Sequence, residues 1–307
     1  MRVLVTGANG FVGRALVPAL TSRGHQVRAT TRYGSTTPQM PLSVELQYHG
    51  DLKDDIEWAH LVAGCDAVVH LASIAHVGPG VPADLYDRVN HRATVSLAQA
   101  AQDAGVSRFV FVSSIRAQSG PTSDHTLTET DEPRPTEPYG ISKLAAENAL
   151  RAMTLPGVIL RPTLVYGPGV KGNFAALLRY ARSRLPLPFG ALKKQRSLLN
   201  IDGLVQAIAF ALQNPKAVGQ TYIVADPSPA SVAQMIEALR FGLGRQHGLL
   251  YVPRGLLRAA LTIIGKRAAL DRLDGQLIAS PAKLIKAGWK PPADTATSLT
   301  ALAKLLS

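Results

Sequence analysis

Short runs of apolar and β-branched residues alternate with helix-periodic stretches through the first half of the chain. Strand-like runs lie at Arg2–Thr6, Gln26–Thr30, Val44–Tyr48, Ala67–Leu71, Arg108–Ser113 and Gly157–Arg161. Each is nearly all apolar, as strands buried on both faces must be. Helical periodicity fits Gly10–Arg23, Asp84–Ala104 and Tyr139–Thr154. This alternation predicts an α/β fold, a doubly wound parallel sheet with helices on its faces. Beyond Pro162 the pattern loosens. Helices near Asn173–Ser183, Asp202–Gln213, Ser231–Leu243 and Pro253–Ile264 are separated by Pro- and Gly-rich loops. The expected division is a sheet domain over 1–165 and a smaller C-terminal lobe over 166–307, with segments returning to the sheet. Such a lobe would sit over the carboxyl ends of the strands, where an open α/β sheet places its ligands.

Composition narrows the class. An apolar fraction of 46% with 18% charged residues, in 307 residues, is that of a folded globular protein. The single cysteine, Cys65, excludes an internal disulfide and fits a reducing cytoplasm. Met1-Arg2 runs straight into a strand, so a cleaved signal peptide is not expected. No apolar stretch approaches the ~20 residues of a membrane-spanning helix. The net charge of +12 is unevenly held: residues 1–150 carry 12 Lys/Arg against 15 Asp/Glu, and residues 151–307 carry 21 against 6. A basic second half suits an anionic partner, whether a phosphorylated small molecule, a nucleic acid or a lipid surface. A solvated basic surface is the plainer alternative.

The N-terminal strand leads into Thr6-Gly7-Ala8-Asn9-Gly10-Phe11-Val12-Gly13 and then a helix. Glycines at 7, 10 and 13 on a strand–turn–helix let the backbone approach a pyrophosphate, which the helix N-terminus then attracts. This predicts a Rossmann-type dinucleotide site built from Gly7, Asn9, Gly10, Phe11, Val12 and Gly13. An acid at the end of the second strand would bind the adenosine ribose and repel the extra phosphate of NADP. This chain has Ala29-Thr30-Thr31-Arg32 instead. Arg32 could pair with a 2′-phosphate, so the expected cofactor is NAD or NADP, with NADP preferred. Asp51, followed by Leu52, is placed to accept from the adenine amino group or to cap a helix. Leu71, Ala72 and Ser73 end the fourth strand beside the phosphate and ribose.

Tyr139 and Lys143 stand four apart on one helical face, and Ser114 follows the buried strand Arg108–Ser113. A carbonyl/alcohol redox couple needs a general acid/base, and a tyrosine, of ordinary pKa about 10, needs a neighbouring positive charge to serve. Ser114 would donate a hydrogen bond to the reacting oxygen. No metal-ligand cluster is expected.

The motifs TGANGFVG, GDL, VVHLAS, VNHRAT, FVFVSS, YGISK and LRPTLVYGPG occur in the order found in extended short-chain dehydrogenases/reductases. The chain resembles the nucleotide-sugar epimerases, dehydratases and 4-ketoreductases of that family over about 1–205, and more loosely to Trp289. The resemblance implies a catalytic triad of Ser114, Tyr139 and Lys143, with Lys143 also bonding the nicotinamide ribose. It implies cofactor contacts at Asn90 and Pro162, and substrate contacts at Ser114, Ile115, Arg116, Asn173, Arg196 and Arg272. The arginines would hold the diphosphate of a nucleotide-diphosphate sugar. Gly288-Trp289-Lys290-Pro291-Pro292 resembles the family's "GW.P" ending.

Departures narrow the reaction. Where the 4,6-dehydratases carry an Asp-Glu pair, this chain has Ile115 and Arg116, so dehydration is not expected. The family's "VYG" tyrosine is also absent, within Ala117-Gln118-Ser119-Gly120. A UDP-hexose 4-epimerase and an NADPH-dependent 4-ketoreductase of N-acetylated 6-deoxy sugars both remain, the epimerase slightly ahead. A non-catalytic dinucleotide sensor would typically lack the tyrosine or the lysine. Nucleic-acid binding lacks a recognition helix or aromatic–basic interleaving. Arg254–Arg267 reads as a core helix flanked by solvated arginines, or as a membrane-peripheral one. A homodimer through Asp84–Ala104 and Tyr139–Thr154 is an expectation by resemblance alone.

Overall fold

The computed structural model describes residues 1–34, 40–75, 80–245, 248–263 and 275–306, with all their side chains except those of Asn173, Ala260, Leu261 and Ile263. Its centre is a seven-stranded sheet. The strands are β1 (Arg2–Thr6), β2 (Gln26–Arg32), β3 (Glu45–His49), β4 (Ala67–His70), β5 (Arg108–Val112), β6 (Gly157–Pro162) and β7 (Thr221–Val224). Their order is β7-β6-β5-β4-β1-β2-β3, and every pairing is parallel. The order reverses between β1 and β4. Loops leaving those neighbours diverge to opposite faces and open a crevice at the carboxyl edge.

The six strands expected from the pattern are present to within two residues at each end. The seventh, Thr221–Val224, comes from the loosely patterned second half. Four residues are too few to show a period. Its place is set instead by pairing with β6 in the register Thr221↔Ile159 to Val224↔Pro162. Helix Ile201–Gln213 precedes it and packs its buried Leu204, Ala207, Ile208 and Ala211 into the same core as Val3, Val5, Val110 and Val158. Trp289 of the "GW.P" ending lies in that core too, so this motif anchors the chain's last quarter to the sheet.

The long helix expected over Asp84–Ala104 is broken into an α-turn (Ala83–Tyr86), a π-turn (Asp87–Arg92) and helix Ala93–Asp103. Such a bulge admits one extra residue per turn and frequently marks a functional site. Here it carries Asn90. The second lobe has its own core, in which Met235, Ile236 and Leu239 of helix Val232–Gly242 meet Leu299 and Leu302 of helix Thr295–Leu305. The latter helix was not expected from the sequence. Gly242 permits the approach, since a Cβ there would strike Thr300 O and come within 2.7 Å of the Ala303 Cβ.

One buried carboxyl joins lobe to sheet. Asp226, just after β7, accepts from Tyr166 Oη at 2.9 Å and from the Asn200 amide at 3.0 Å. Burial raises its pKa from an ordinary 3.8 to about 6, the two hydrogen bonds opposing. The folded chain therefore holds this proton more tightly than the unfolded chain, and stability falls as pH rises from about 4 to about 6. Asp226→Asn should remove that loss. Relative to wild type, the variant's unfolding free energy should rise by roughly 2 kcal/mol between pH 4 and pH 7, as urea titrations at the two pH values would show. An unchanged difference would contradict the assignment.

Candidate active site

The crevice between β1 and β4 is shaped by glycine. Gly7 adopts φ +67°, and a Cβ on it would lie 2.8 Å from the Ala72 amide nitrogen across the crevice. Gly10 donates to Gly7 O at 2.9 Å and caps helix Phe11–Ser22 without any side-chain cap. That helix has no acidic residue in its first turn, so its amide groups and positive dipole end face the crevice uncompensated. A glycine cradle against an uncapped helix start fits a dinucleotide pyrophosphate. Gly13 is packed against Gly7 and Ala8 backbone, Phe11 and Val12 are partly buried, and Asn9 O accepts from Arg14 Nε at 2.9 Å.

A buried chain of hydrogen bonds sets the far wall. Thr6 Oγ1 accepts from the amides of Leu71 and Ala72, both at 3.2 Å, and lies 2.7 Å from His70 Nδ1. His70 Nε2 lies 3.0 Å from Thr94 Oγ1, whose own hydroxyl donates to Asn90 O. Complete burial takes the His70 pKa down to about 3, so the ring is neutral. The surrounding bonds assign its proton to Nε2. Leu71 and Ala72 are thus held by a side chain of the neighbouring strand, while Ser73 is exposed.

At the adenosine end, Arg32 donates to Asp51 at 3.4 Å, and Asp51 also accepts from the Lys53 amide at 3.2 Å. An acid absent from the end of β2 thus lies just past the end of β3, within reach of Arg32. Leu52 packs beneath, against the apolar layer containing Trp58 and Leu61.

Ser114, Tyr139 and Lys143 converge where β5 meets helix Pro138–Arg151. Pro138 occupies the first turn of that helix, where its missing N–H is harmless. Ser114 accepts from the Arg116 amide at 3.1 Å and hydrogen-bonds the Tyr139 phenol. Burial raises the Tyr139 pKa, while Ser114 and the Arg116 guanidinium pull it down and Tyr86, edge-on at 6.4 Å, pushes it up. Arg116 is thus a cation that acts on the phenol. The Lys143 ammonium is buried, donates to Val112 O at 3.0 Å and sits 4.6 Å over the Phe111 ring. Burial lowers its pKa to about 7, and Glu147, one helical turn on, acts in the opposite direction.

Among the substrate contacts expected by resemblance, Arg116 pairs with Glu137 at the start of the helix and lies near enough to Arg196 to depress that guanidinium, after burial. Arg196 donates to Gly275 O at 2.9 and 3.0 Å. Of the two, Arg116 acts on Tyr139. The Ile115 side chain is buried with Leu127, Ile223, Leu277 and Ala279. Asn173 begins helix Gly172–Arg182, and Arg272 lies outside the described residues. Pro162 ends β6, buried opposite Val224. Asn90, expected at the cofactor, has its amide bonded within the protein. It accepts from Ile74 N, donates to Ile74 O and reaches Ser142 Oγ at 3.1 Å, so it ties the loop after β4 to the Tyr139 helix.

The sequence reading missed the support beneath this site. Glu147, wholly buried, accepts from Ser113 Oγ (2.5 Å), from Arg161 Nη2 (2.5 Å) and Nε (2.9 Å), and from Arg151 (2.7 Å). Arg161 also donates to Gln118. An arginine inside the otherwise apolar run Val158-Ile159-Leu160 was the available signal, because a buried charge requires a partner.

A model of the NAD dependent epimerase/dehydratase family matches residues 3–225. The chain belongs to that family. It is 36% identical over 300 residues to the UDP-glucose 4-epimerase of Vibrio cholerae, which covers 94% of this chain and 90% of that protein. It is 31% identical over 256 residues to the 2-alkyl-3-oxoalkanoate reductase of Stenotrophomonas maltophilia, covering 80% and 76% of the two chains. Among solved structures, the UDP-glucuronic acid 4-epimerase from Bacillus cereus in complex with NAD superposes with a TM-score of 0.77 at 22% identity, over 99% of this chain and 96% of that one. At that identity the likeness is one of fold. As a member of the family the chain is an NAD(P)-dependent enzyme with a doubly wound dinucleotide-binding sheet. No helix among the described residues is long and apolar enough to cross a membrane, and no metal-holding cluster of His, Cys, Asp or Glu occurs among them.

Glu147→Gln should keep the volume and strip Arg161 of its counter-charge. It should cost about 3–5 kcal/mol of unfolding free energy, whereas replacing the pair together by Leu and Met should recover most of it. Urea denaturation of the two variants tests this, and a loss below about 1 kcal/mol in the single variant would contradict it.

Proposed function

We propose that the chain is a UDP-hexose 4-epimerase that oxidises and re-reduces C4 of a nucleotide-diphosphate sugar with NAD. The Ser114–Tyr139 hydrogen bond carries this reading, supported by similarity to a UDP-glucose 4-epimerase along 94% of the chain. Bound NAD(P) would supply the hydride acceptor and, when oxidised, a positive ring that favours the phenolate. Gly7, Gly10 and the start of helix Phe11–Ser22 would hold its pyrophosphate, and Lys143 its nicotinamide ribose.

Tyr139 takes the proton of the C4 hydroxyl as the carbonyl forms and returns it when the alcohol is restored. Ser114 uses its Oγ lone pair for the Arg116 amide and so keeps its own hydroxyl proton for the phenol or the sugar oxygen. Burial holds Tyr139 above its ordinary pKa, so the positive charge of an oxidised nicotinamide ring would help make the phenol a base near neutral pH. Arg116 and Arg196 would hold the diphosphate, with Arg272 and Asn173 assigned to the same ligand by resemblance. A homodimer packed through helix Pro138–Arg151 and its neighbour Ala93–Asp103 belongs to the same proposal.

One observation favours a second reading. β2 ends on Arg32 rather than an acid, which suits NADPH and a 4-ketoreductase of a UDP-4-keto-6-deoxy sugar. Asp51 opposes it, because a 2′-phosphate would have to displace that carboxylate from Arg32. The pairing puts NAD ahead.

Denaturing the purified protein and assaying the supernatant separates the two. Stoichiometric NAD(H) supports the epimerase, whereas an empty protein whose Tm rises with NADPH and not NADH supports the reductase. Tyr139→Phe should lower turnover by about 10²–10⁴-fold and leave dinucleotide binding within a few-fold of wild type. Full activity in that variant would remove the mechanism.

A further inference from the structure

The second lobe carries a surface that the proposed chemistry does not use. The strap Leu185–Lys194 runs beside Gly248–Tyr251, joined by Leu187 N–H to Gly248 O (2.9 Å), Leu250 N–H to Leu187 O (2.8 Å) and Gly190 N–H to Leu250 O (3.1 Å). Arg240 pins the two from below, donating to Leu185 O at 2.7 Å and Gly248 O at 2.9 Å. Helix Arg254–Ile263 follows, and its Leu257 is buried in the same apolar core as Leu187 and Leu192. On this one scaffold Leu185 is 71% exposed, Leu250 50%, Tyr251 72% and Leu256 65%. Isolated exposed leucines are ordinary, but four large apolar side chains raised on one continuous support are not.

Along the two chain segments that carry them, the charges have one sign. Residues 174–200 hold six Lys or Arg and residues 245–263 hold three, and neither segment has a single Asp or Glu. Arg184, Lys193, Lys194 and Arg258 are exposed. Protein–protein interfaces are depleted in lysine and bring acids to meet their bases. Nucleic-acid grooves place aromatic rings, not leucines, between their cations. Apolar tips set among cations suit a surface that is anionic outside and hydrocarbon within.

We propose that this face docks on the surface of an anionic phospholipid bilayer, with Leu185, Leu250, Tyr251 and Leu256 entering the headgroup layer and the surrounding cations meeting lipid phosphates. It lies in the plane of the membrane and spans nothing. The proposal is independent of which sugar or cofactor the crevice takes.

Sedimentation of the full chain with vesicles tests it. Phosphatidylcholine vesicles containing about one-third phosphatidylglycerol should bind at least ~10-fold more protein than pure phosphatidylcholine, and the excess should fall steeply as salt is raised from about 0.05 to 0.5 M. The double variant Tyr251→Glu/Leu256→Glu should keep its Tm, because both side chains are exposed, and lose about 10-fold in vesicle binding. Absence of binding, equal binding to both vesicle types, or binding intact in the double variant would overturn the proposal. So would a change in the double variant's elution size in gel filtration, which would assign the face to a second copy of the chain.

Discussion

The packing of the Tyr139 helix against β5 and β6 depends on the burial of Glu147. A carboxylate out of water is tolerated only when it is both paired and hydrogen-bonded. Glu147 meets that requirement by drawing Arg161 from β6 and Ser113 from the end of β5 onto one face of the helix that carries Tyr139 and Lys143. One side chain thus bonds all three of the elements that must stay in register for a Ser–Tyr–Lys arrangement. Breaking the pair leaves an uncompensated buried charge, so the arrangement is costly to distort even where the pair adds little net stability. The same carboxylate supports the charge on Lys143, whose burial would otherwise drive it further toward the neutral amine.

A second buried network does the corresponding work on the crevice side. His70, neutral because it is fully enclosed, links Thr6 on β1 to Thr94 on the helix behind the sheet, and Thr6 in turn holds the amides of Leu71 and Ala72. Those amides face Gly7 so closely that no side chain fits between. The narrowness of the crevice is thus set from both walls: by the absence of a Cβ on one, and by a polar chain on the other. Asn90 joins the two systems, because the π-turn Asp87–Arg92 lets its amide reach the loop after β4 and Ser142 of the Tyr139 helix at once.

Much of the fold was legible in the sequence, for a physical reason. Strands buried on both faces must be apolar throughout, and six of the seven announced themselves in that way. β7 did not, because a four-residue edge strand owes its place to pairing with β6 rather than to any period of its own. Helix Thr295–Leu305 escaped similarly: its mixture of Thr, Ala and Leu shows no sharp stripe until Gly242 and Met235 define which side is inside. In the site, Ser114, Tyr139 and Lys143 could be named from spacing. Ile115 was assigned to the substrate by resemblance, but the residue after a buried strand can face either way, and here its side chain enters the small core around Leu127.

The sequence by itself determined the chemistry available: a glycine turn before a helix, a tyrosine and lysine on one helical face, a hydroxyl at a strand end, and a basic second half. These are local properties, decided by residue type and by spacings shorter than one element. Only the tertiary structure decided which charges act on which groups. The Arg116 guanidinium, two residues past the strand-end hydroxyl, acts on the Tyr139 phenol. Asp51, nineteen residues from Arg32, comes within 3.4 Å of its guanidinium. Electrostatic coupling depends on distance in space and on burial, and neither is set until strands far apart in the chain are laid side by side.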